Sequence, residues 1–219
     1  VRFLRPRLEA ALKADDDFEL INLFHRNGPF ADRLYAGTEL LLKVAEAHRR
    51  LGFPIESARL FQSLIRDSKA EAFHEVALMG LGDSYLEQKD MRAARAVFER
   101  YRLQFPVGRF AGQALIGILT SFEGEGNTSG LVKLGKQWLI HNPRHPDRAL
   151  VQLKVADALR QVKRDAEAAP LYESVLKAGM DLSALDRLRY ADVLARLNRQ
   201  EPALALYKQA LIAGLEPEQ

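Results

Sequence analysis

The chain has 219 residues, 47% hydrophobic and 28% charged, with no cysteine; that excludes disulfides, thiolate catalysis and cysteine-ligated zinc, and the length suffices for a core in one or two domains. Its 32 basic and 29 acidic residues leave a formal net charge of +3, a mixed surface rather than the clustered basic face of a nucleic-acid binder. No apolar run approaches the roughly 20 residues of a membrane span.

The basic opening stretch VRFLRPR reads as a frayed or truncated end, with a phosphate or anionic-lipid contact as the alternative. Val1 is not an initiator, so a processed start or a boundary is expected. Residues 1–36 fit a degenerate first helix pair, RLEAALKA then DDDFELINLFHRNG. Asp15–Asp17 would cap its second helix, where carboxylates accept free N–H groups, and Asn27-Gly28-Pro29 would end it.

A clearer pair spans 38–67, with Ala45, Ser57 and Phe61, and with Gly52 and Pro54 at the turn. The best-defined unit spans 75–106. Its two amphipathic stretches meet at Lys89–Asp90 and carry Leu81, Gly82, Tyr85, Ala94, Phe98 and Pro106. Gly82 to Ala94 is twelve residues, Ala94 to Phe98 four, and Phe98 to Pro106 eight. A small residue in each helix lets the backbones approach, the aromatic one turn later fills the gap to the next pair, and the proline stops the second helix.

The pair at 109–143 is irregular. Ala111, Gly112 and Gly117 form a small-residue stripe around an anchor at Ile116, and EGEGNTSG is expected as a long surface loop. In the following helix Gly135 stands where the aromatic belongs, and Trp138 fills the vacated volume. Pairs at 149–180 (Ala156, Ala168, Tyr172) and 184–214 (Ala191, Ala203, Tyr207) repeat the twelve-then-four spacing. The anchors Ala45, Gly82, Ile116, Ala156 and Ala191 then step by 37, 34, 40 and 35 residues. The last helix leaves Leu204, Leu211 and Ile212 uncovered, and Leu215-Glu216-Pro217 reads as the entry to a further pair.

The spacing of Leu81, Gly82, Tyr85, Ala94, Phe98 and Pro106 resembles a tetratricopeptide repeat. The resemblance implies an all-α, right-handed α-solenoid of about six helix pairs, with 1–219 as a single superhelical domain, expected to be part of a longer protein. A second likeness rests on Phe98, Tyr101, Phe105, Pro106, Gly108, Ala111 and Ala114, echoed in Trp138–Ala149. It is similar to bacterial envelope tetratricopeptide proteins, namely the outer-membrane assembly lipoprotein and the periplasmic cell-division coordinator. It implies a bacterial, periplasmic or membrane-associated scaffold; a cytoplasmic one stays open.

No residue set carries chemistry. Gly124, Gly126 and Gly130 lack the lysine of a phosphate loop. Glu123, Glu125, Asn127 and Ser129 alternate like calcium ligands, but Thr128 and Leu134 occupy positions that need glycine and glutamate. His141 and His145 are four apart, but Pro143 and Pro146 forbid the helix that would align them. The expectation is no enzyme, no metal and no cofactor.

In tetratricopeptide families ligands lie against the first helices of the pairs. The residue after each anchor is Glu46, Asp83, Gly117, Asp157 or Asp192, one turn on lie Arg49, Leu86, Thr120, Arg160 and Ala195, with Arg50 and Arg196 beside them, and three before the anchors lie Leu42, Met79, Gln113, Leu153 and Leu188. The expected partner-binding groove is therefore Leu42, Glu46, Arg49, Met79, Asp83, Leu153, Asp157, Arg160, Leu188, Asp192 and Arg196. It would take a peptide with apolar anchors and some positive charge. The alternative is acids and arginines pairing on solvated helix faces. Acidic chaperone tails are disfavoured, because leucine, methionine and acids stand where those domains place lysine and asparagine.

The expected function is a protein–protein interaction scaffold in a larger bacterial assembly. Two alternatives remain: an accessory region of a secretion, polysaccharide-export or enzyme system whose activity lies outside the segment, and a structural protein that self-assembles through its last helix as a homo-oligomer.

Overall fold

The computed structural model describes residues 4–26 and 38–215. Asn27-Gly28-Pro29, Glu216-Pro217 and the first three residues of the basic opening stretch lie outside the described residues. Every regular element among the described residues is helical. In chain order these are α1 Leu4–Lys13, α2 Asp17–Arg26, α3 Thr38–Arg50, α4 Pro54–Arg66, α5 His74–Glu87, α6 Met91–Gln104, α7 Ala111–Gly124, α8 Thr128–His141, α9 Arg148–Gln161, α10 Asp165–Lys177, α11 Ala184–Arg196 and α12 Gln200–Leu215. A 3-10 helix, Ser68–Phe73, precedes α5. The architecture is an all-α helix-pair solenoid.

One turn recurs six times. Asp15, Gly52, Lys89, Gly126, Lys163 and Asn198 all have φ between 50° and 79°. Each left-handed residue gives its N–H to the carbonyl three residues back. The next residue's N–H reaches five back, as in Lys89 N to Leu86 O and Asp90 N to Tyr85 O, both 2.9 Å. This doubly bonded close satisfies the carbonyls that end each first helix. In three of the turns the residue after the left-handed one caps the second helix: Asp16 accepts from Glu19 N at 2.9 Å, Asp90 from Ala93 N at 3.0 Å and Asn127 from Gly130 N at 2.9 Å.

These turns give the repeat its true period, steps of 37, 37, 37, 37 and 35 residues. Two sequence expectations are thereby corrected. The long loop over EGEGNTSG is a three-residue turn like the others, because the first helix runs through Glu123 and Gly124 and Asn127 already caps the next. Counting seven back from each left-handed residue reproduces Ala45, Gly82, Ala156 and Ala191 but selects Leu119 rather than Ile116. It also selects Leu8, so the first pair carries Leu8, Leu20 and Phe24 in register, all buried.

The residues divide into two compact units, Val1–Ser121 and Phe122–Gln219. In the first, α1 packs on α2, α2 on α3, α3 on α4, α4 on α5 and α5 on α6. The fully buried Phe98 ring lies between Gly82 of α5 and Gly117 of α7. A Cβ on Gly82 would fall 2.5 Å from that ring and one on Gly117 2.4 Å. One aromatic thus seals its own pair and the start of the next, which requires that both opposing positions lack a side chain. Gly117 is therefore a packing position, not a groove residue as its place after Ile116 implied.

The envelope-type motif has a local cause. Phe105, held before Pro106, turns the chain out of α6 with φ −129°. The Tyr101 hydroxyl donates to Glu75 Oε1 at 2.5 Å and accepts from Phe110 N at 2.9 Å. Gly108 passes so close that a Cβ would stand 2.5 Å from both Tyr101 Oη and Glu75 Oε1.

In the second unit α8 packs on α9, α9 on α10, α10 on α11 and α11 on α12. Tyr172 is buried and stacks on Tyr190 with ring centroids 4.9 Å apart. Trp138, 37 residues after Tyr101, is buried edge-on to His145 at 4.9 Å.

Candidate functional site

The corrected register places six residues one past the anchors: Glu9, Glu46, Asp83, Thr120, Asp157 and Asp192. Five are acids, and the structure gives them different surroundings.

In the second unit the acids bind their own repeat. The aromatic fifteen residues later is a tyrosine, and its hydroxyl reaches back across the helix pair. Tyr172 donates to Asp157 Oδ1, and Tyr207 donates to Asp192 Oδ1 at 2.7 Å. Arg189 Nη1 adds a bond to Asp157 Oδ2 at 2.8 Å and one to Asp186 at 3.2 Å. Burial pushes the Asp157 carboxyl above the ordinary range, against the pull of Tyr172 and Arg189. Arg196 is bidentate to Asp165 at 2.7 Å, and that guanidinium holds the Asp165 carboxyl low. Arg160 is half-buried, and its Nε is buried with no hydrogen-bond partner.

In the first unit the aromatic at the same step is phenylalanine, Phe61 after Glu46 and Phe98 after Asp83. Glu46 instead takes Lys43 Nζ at 3.1 Å and lies 3.9 Å from Arg50. Asp83 has no hydrogen bond and no ion pair among the described residues. Burial raises its carboxyl; the nearby Arg49 charge opposes this and Glu87 reinforces it. Arg49 itself is spent on Glu87, Nη1 to Oε1 at 2.9 Å.

The expected apolar row is mostly not a surface. Leu42, Met79 and Leu153 are buried within the chain, whereas Leu188 is 41% exposed. Sequence reasoning also missed residues. With Leu119 as anchor, Thr120 takes the place given to Gly117, and Glu123, bonded by Lys154 Nζ at 3.1 Å, takes that given to Thr120. Arg189 was missed as the cation on Asp157; the period of 37 was the signal for the first two. Among the described residues no cluster of three or more histidines or carboxylates could hold a metal ion. No described helix is long and apolar enough to cross a membrane.

The sequence profile of the tetratricopeptide repeat matches residues 76–106. No curated protein matches the chain. Among solved structures, the Pseudomonas aeruginosa pilF protein is 12% identical at a TM-score of 0.68, covering 94% of this chain and 89% of its own. The tetratricopeptide-like repeats of a putative kinesin light chain from Podosopora anserina are 15% identical at 0.62, covering 80% and 94%. YrrB, described as a tetratricopeptide protein with an unusual peptide-binding site, is 13% identical at 0.57, covering 84% and 92%. Residues 76–106 are a tetratricopeptide repeat, and the chain that carries them has the tetratricopeptide-repeat fold.

Proposed function

We propose that the protein is an interaction scaffold without chemistry of its own, and that the first helices of its pairs dock a protein or peptide partner in a larger bacterial assembly. Asp83 carries the reading. It is a half-buried carboxylate with no hydrogen bond or ion pair among the described residues, at a position where the second unit satisfies its acids from within. Partial burial disfavours its charge, and a cation or N–H donor from a partner offsets that cost. Leu188, exposed on α11, and Arg160 on α9, whose Nε has no hydrogen-bond partner, extend the reading to the second unit. Leu42, Met79, Leu153 and Asp157 are buried members of these first helices, and Glu46, Arg49, Asp192 and Arg196 stand on the same set of helices. The similarity to structures of bacterial tetratricopeptide proteins agrees with this setting. Pull-downs from native extract with wild type, Asp83→Lys and Arg160→Ala test it. Loss of one shared partner from the variants, with helical circular dichroism retained, is expected; unchanged capture by both refutes it.

A second reading, self-association through α12, is favoured by the exposure of Leu204, Leu211 and Ile212. Leu211→Glu then lowers the mass seen by light scattering, and a mass unaffected by the change rejects it.

A further inference from the structure

The end of α6 presents an apolar tip set in guanidinium groups. Successive helical residues turn by about 100°, so Leu103 projects nearly opposite the buried stripe of Ala94, Phe98 and Tyr101. It is 84% exposed, and Val107, just beyond the helix, is 96% exposed. Arg100 and Arg102 flank Leu103 and make neither ion pair nor hydrogen bond among the described residues. Arg109 follows Val107. Its guanidinium lies 4.5 Å over the Phe110 ring and only within 3.9 Å of Glu75. Glu99 is the one carboxylate within residues 99–109.

The tip is held in place. Tyr101, bonded to Glu75 and Phe110 N, pins the strand of chain that carries Val107 and Arg109. Leu103 and Val107 are left almost wholly uncovered by the protein's own fold. Between lipid headgroups they can enter the acyl boundary while arginines bind phosphate through paired N–H groups and keep their charge in water. We propose that residues 100–109 dock the protein onto an anionic lipid surface. This surface is separate from the helix faces assigned to a protein partner.

The test is co-sedimentation of the full chain with phosphatidylcholine vesicles, with and without phosphatidylglycerol. Wild type is expected to sediment with the anionic vesicles only, and to be released by high salt. Leu103→Ser with Val107→Ser, and separately Arg100→Gln with Arg102→Gln, each lower the partition roughly tenfold. Leu103, Val107 and Arg100 are exposed and Arg102 is half-buried without a hydrogen bond or ion pair among the described residues, so circular dichroism stays at wild type. Failure of wild type to bind anionic vesicles overturns the proposal and leaves the arginines to an acidic protein surface. Variants that sediment like wild type overturn it too, and place the membrane contact elsewhere in the chain.

Discussion

The Tyr172 hydroxyl donates to Asp157, while Phe98, the residue in register with Tyr172, has no hydroxyl to offer Asp83. The difference of one oxygen separates an acid used for folding from an acid left over. Tyr172→Phe leaves one oxygen of a buried carboxylate unbonded, with Arg189 alone on the other. The expected loss is about 1–3 kcal/mol by urea denaturation. Tyr207→Phe should cost less, because the Tyr207–Asp192 pair is only part-buried.

Asp83→Asn should behave in the opposite way. Burial raises the Asp83 carboxyl above its ordinary 3.8, so the folded chain holds the proton more tightly than the unfolded one. Stability from this group is present below pH 3.8 and is lost as pH rises through the higher folded value. At neutral pH the charge is a net burden, and Asp83→Asn should raise the melting temperature there. The gain should vanish near pH 3.8. A melting temperature lowered at neutral pH would mean that the Asp83 charge is satisfied in the free protein.

A second titration works at the α2–α3 contact. His48 is buried, its Nδ1–H donates to Val44 O at 2.8 Å, and its Nε2 meets His25 Nε2 at 3.0 Å. Those partners assign His48 as acceptor and His25 as donor. A proton on His48 would set two N–H groups against each other. Burial lowers the His48 pKa from its ordinary 6.5, and the His25 and Arg59 charges act in the same direction; the Val44 carbonyl and Glu56 oppose them. The unfolded chain therefore binds the proton first. Stability is complete above pH 6.5 and falls as pH drops below it. Protection factors in α2 and α3, taken relative to the intrinsic exchange rate at each pH, should fall between about pH 7.5 and pH 5. His48→Gln should flatten the profile, and a wild-type profile already flat would remove His48 from the argument.

Gly117→Ala tests the Phe98 seal. The new methyl would stand 2.4 Å from the ring, and Gly82 blocks retreat on the other side. About 1–3 kcal/mol should be lost, and Gly117→Ala combined with Phe98→Leu should recover part of it. Recovery distinguishes overpacking from a change in helix propensity, because Gly to Ala within a helix otherwise stabilises.

Gly82, Ala94 and Phe98 were legible because small–small–aromatic spacing is written along one chain. The fourth repeat was not, since Leu119 fills the small position and glycines at 124, 126 and 130 imitate a loop. The left-handed φ of Gly126, 37 residues after Lys89, fixes its register. The acid row was legible as a pattern, but what each acid does depends on whether the residue fifteen later ends in a hydroxyl. Leu42, Met79 and Leu153 looked like surface because periodicity identifies an apolar position without saying which neighbour covers it. The α2–α3 clasp, Arg50 bidentate to Asp17 at 2.6 Å, joins residues 33 apart that no local pattern connects.

The recurring turn also predicts where stability can be gained. Lys89, Lys163 and Asn198 hold φ near 60°, a region that costs a residue with a Cβ about 1–2 kcal/mol and asparagine less. Glycine avoids that strain but adds about 0.5–1 kcal/mol of entropy loss on folding. Lys89→Gly and Lys163→Gly should therefore each gain up to roughly 1 kcal/mol, and Asn198→Gly less. At Gly52 the balance reverses. No atom lies within 4 Å of a Cβ built there, so the loss in Gly52→Ala comes from φ +79° alone. Lys89→Gly and Lys163→Gly stand in different units, so their gains should add. Denaturant midpoints of the two single variants and the double variant check this. A double variant no more stable than the better single would mean that the turns do not contribute independently to the folded state.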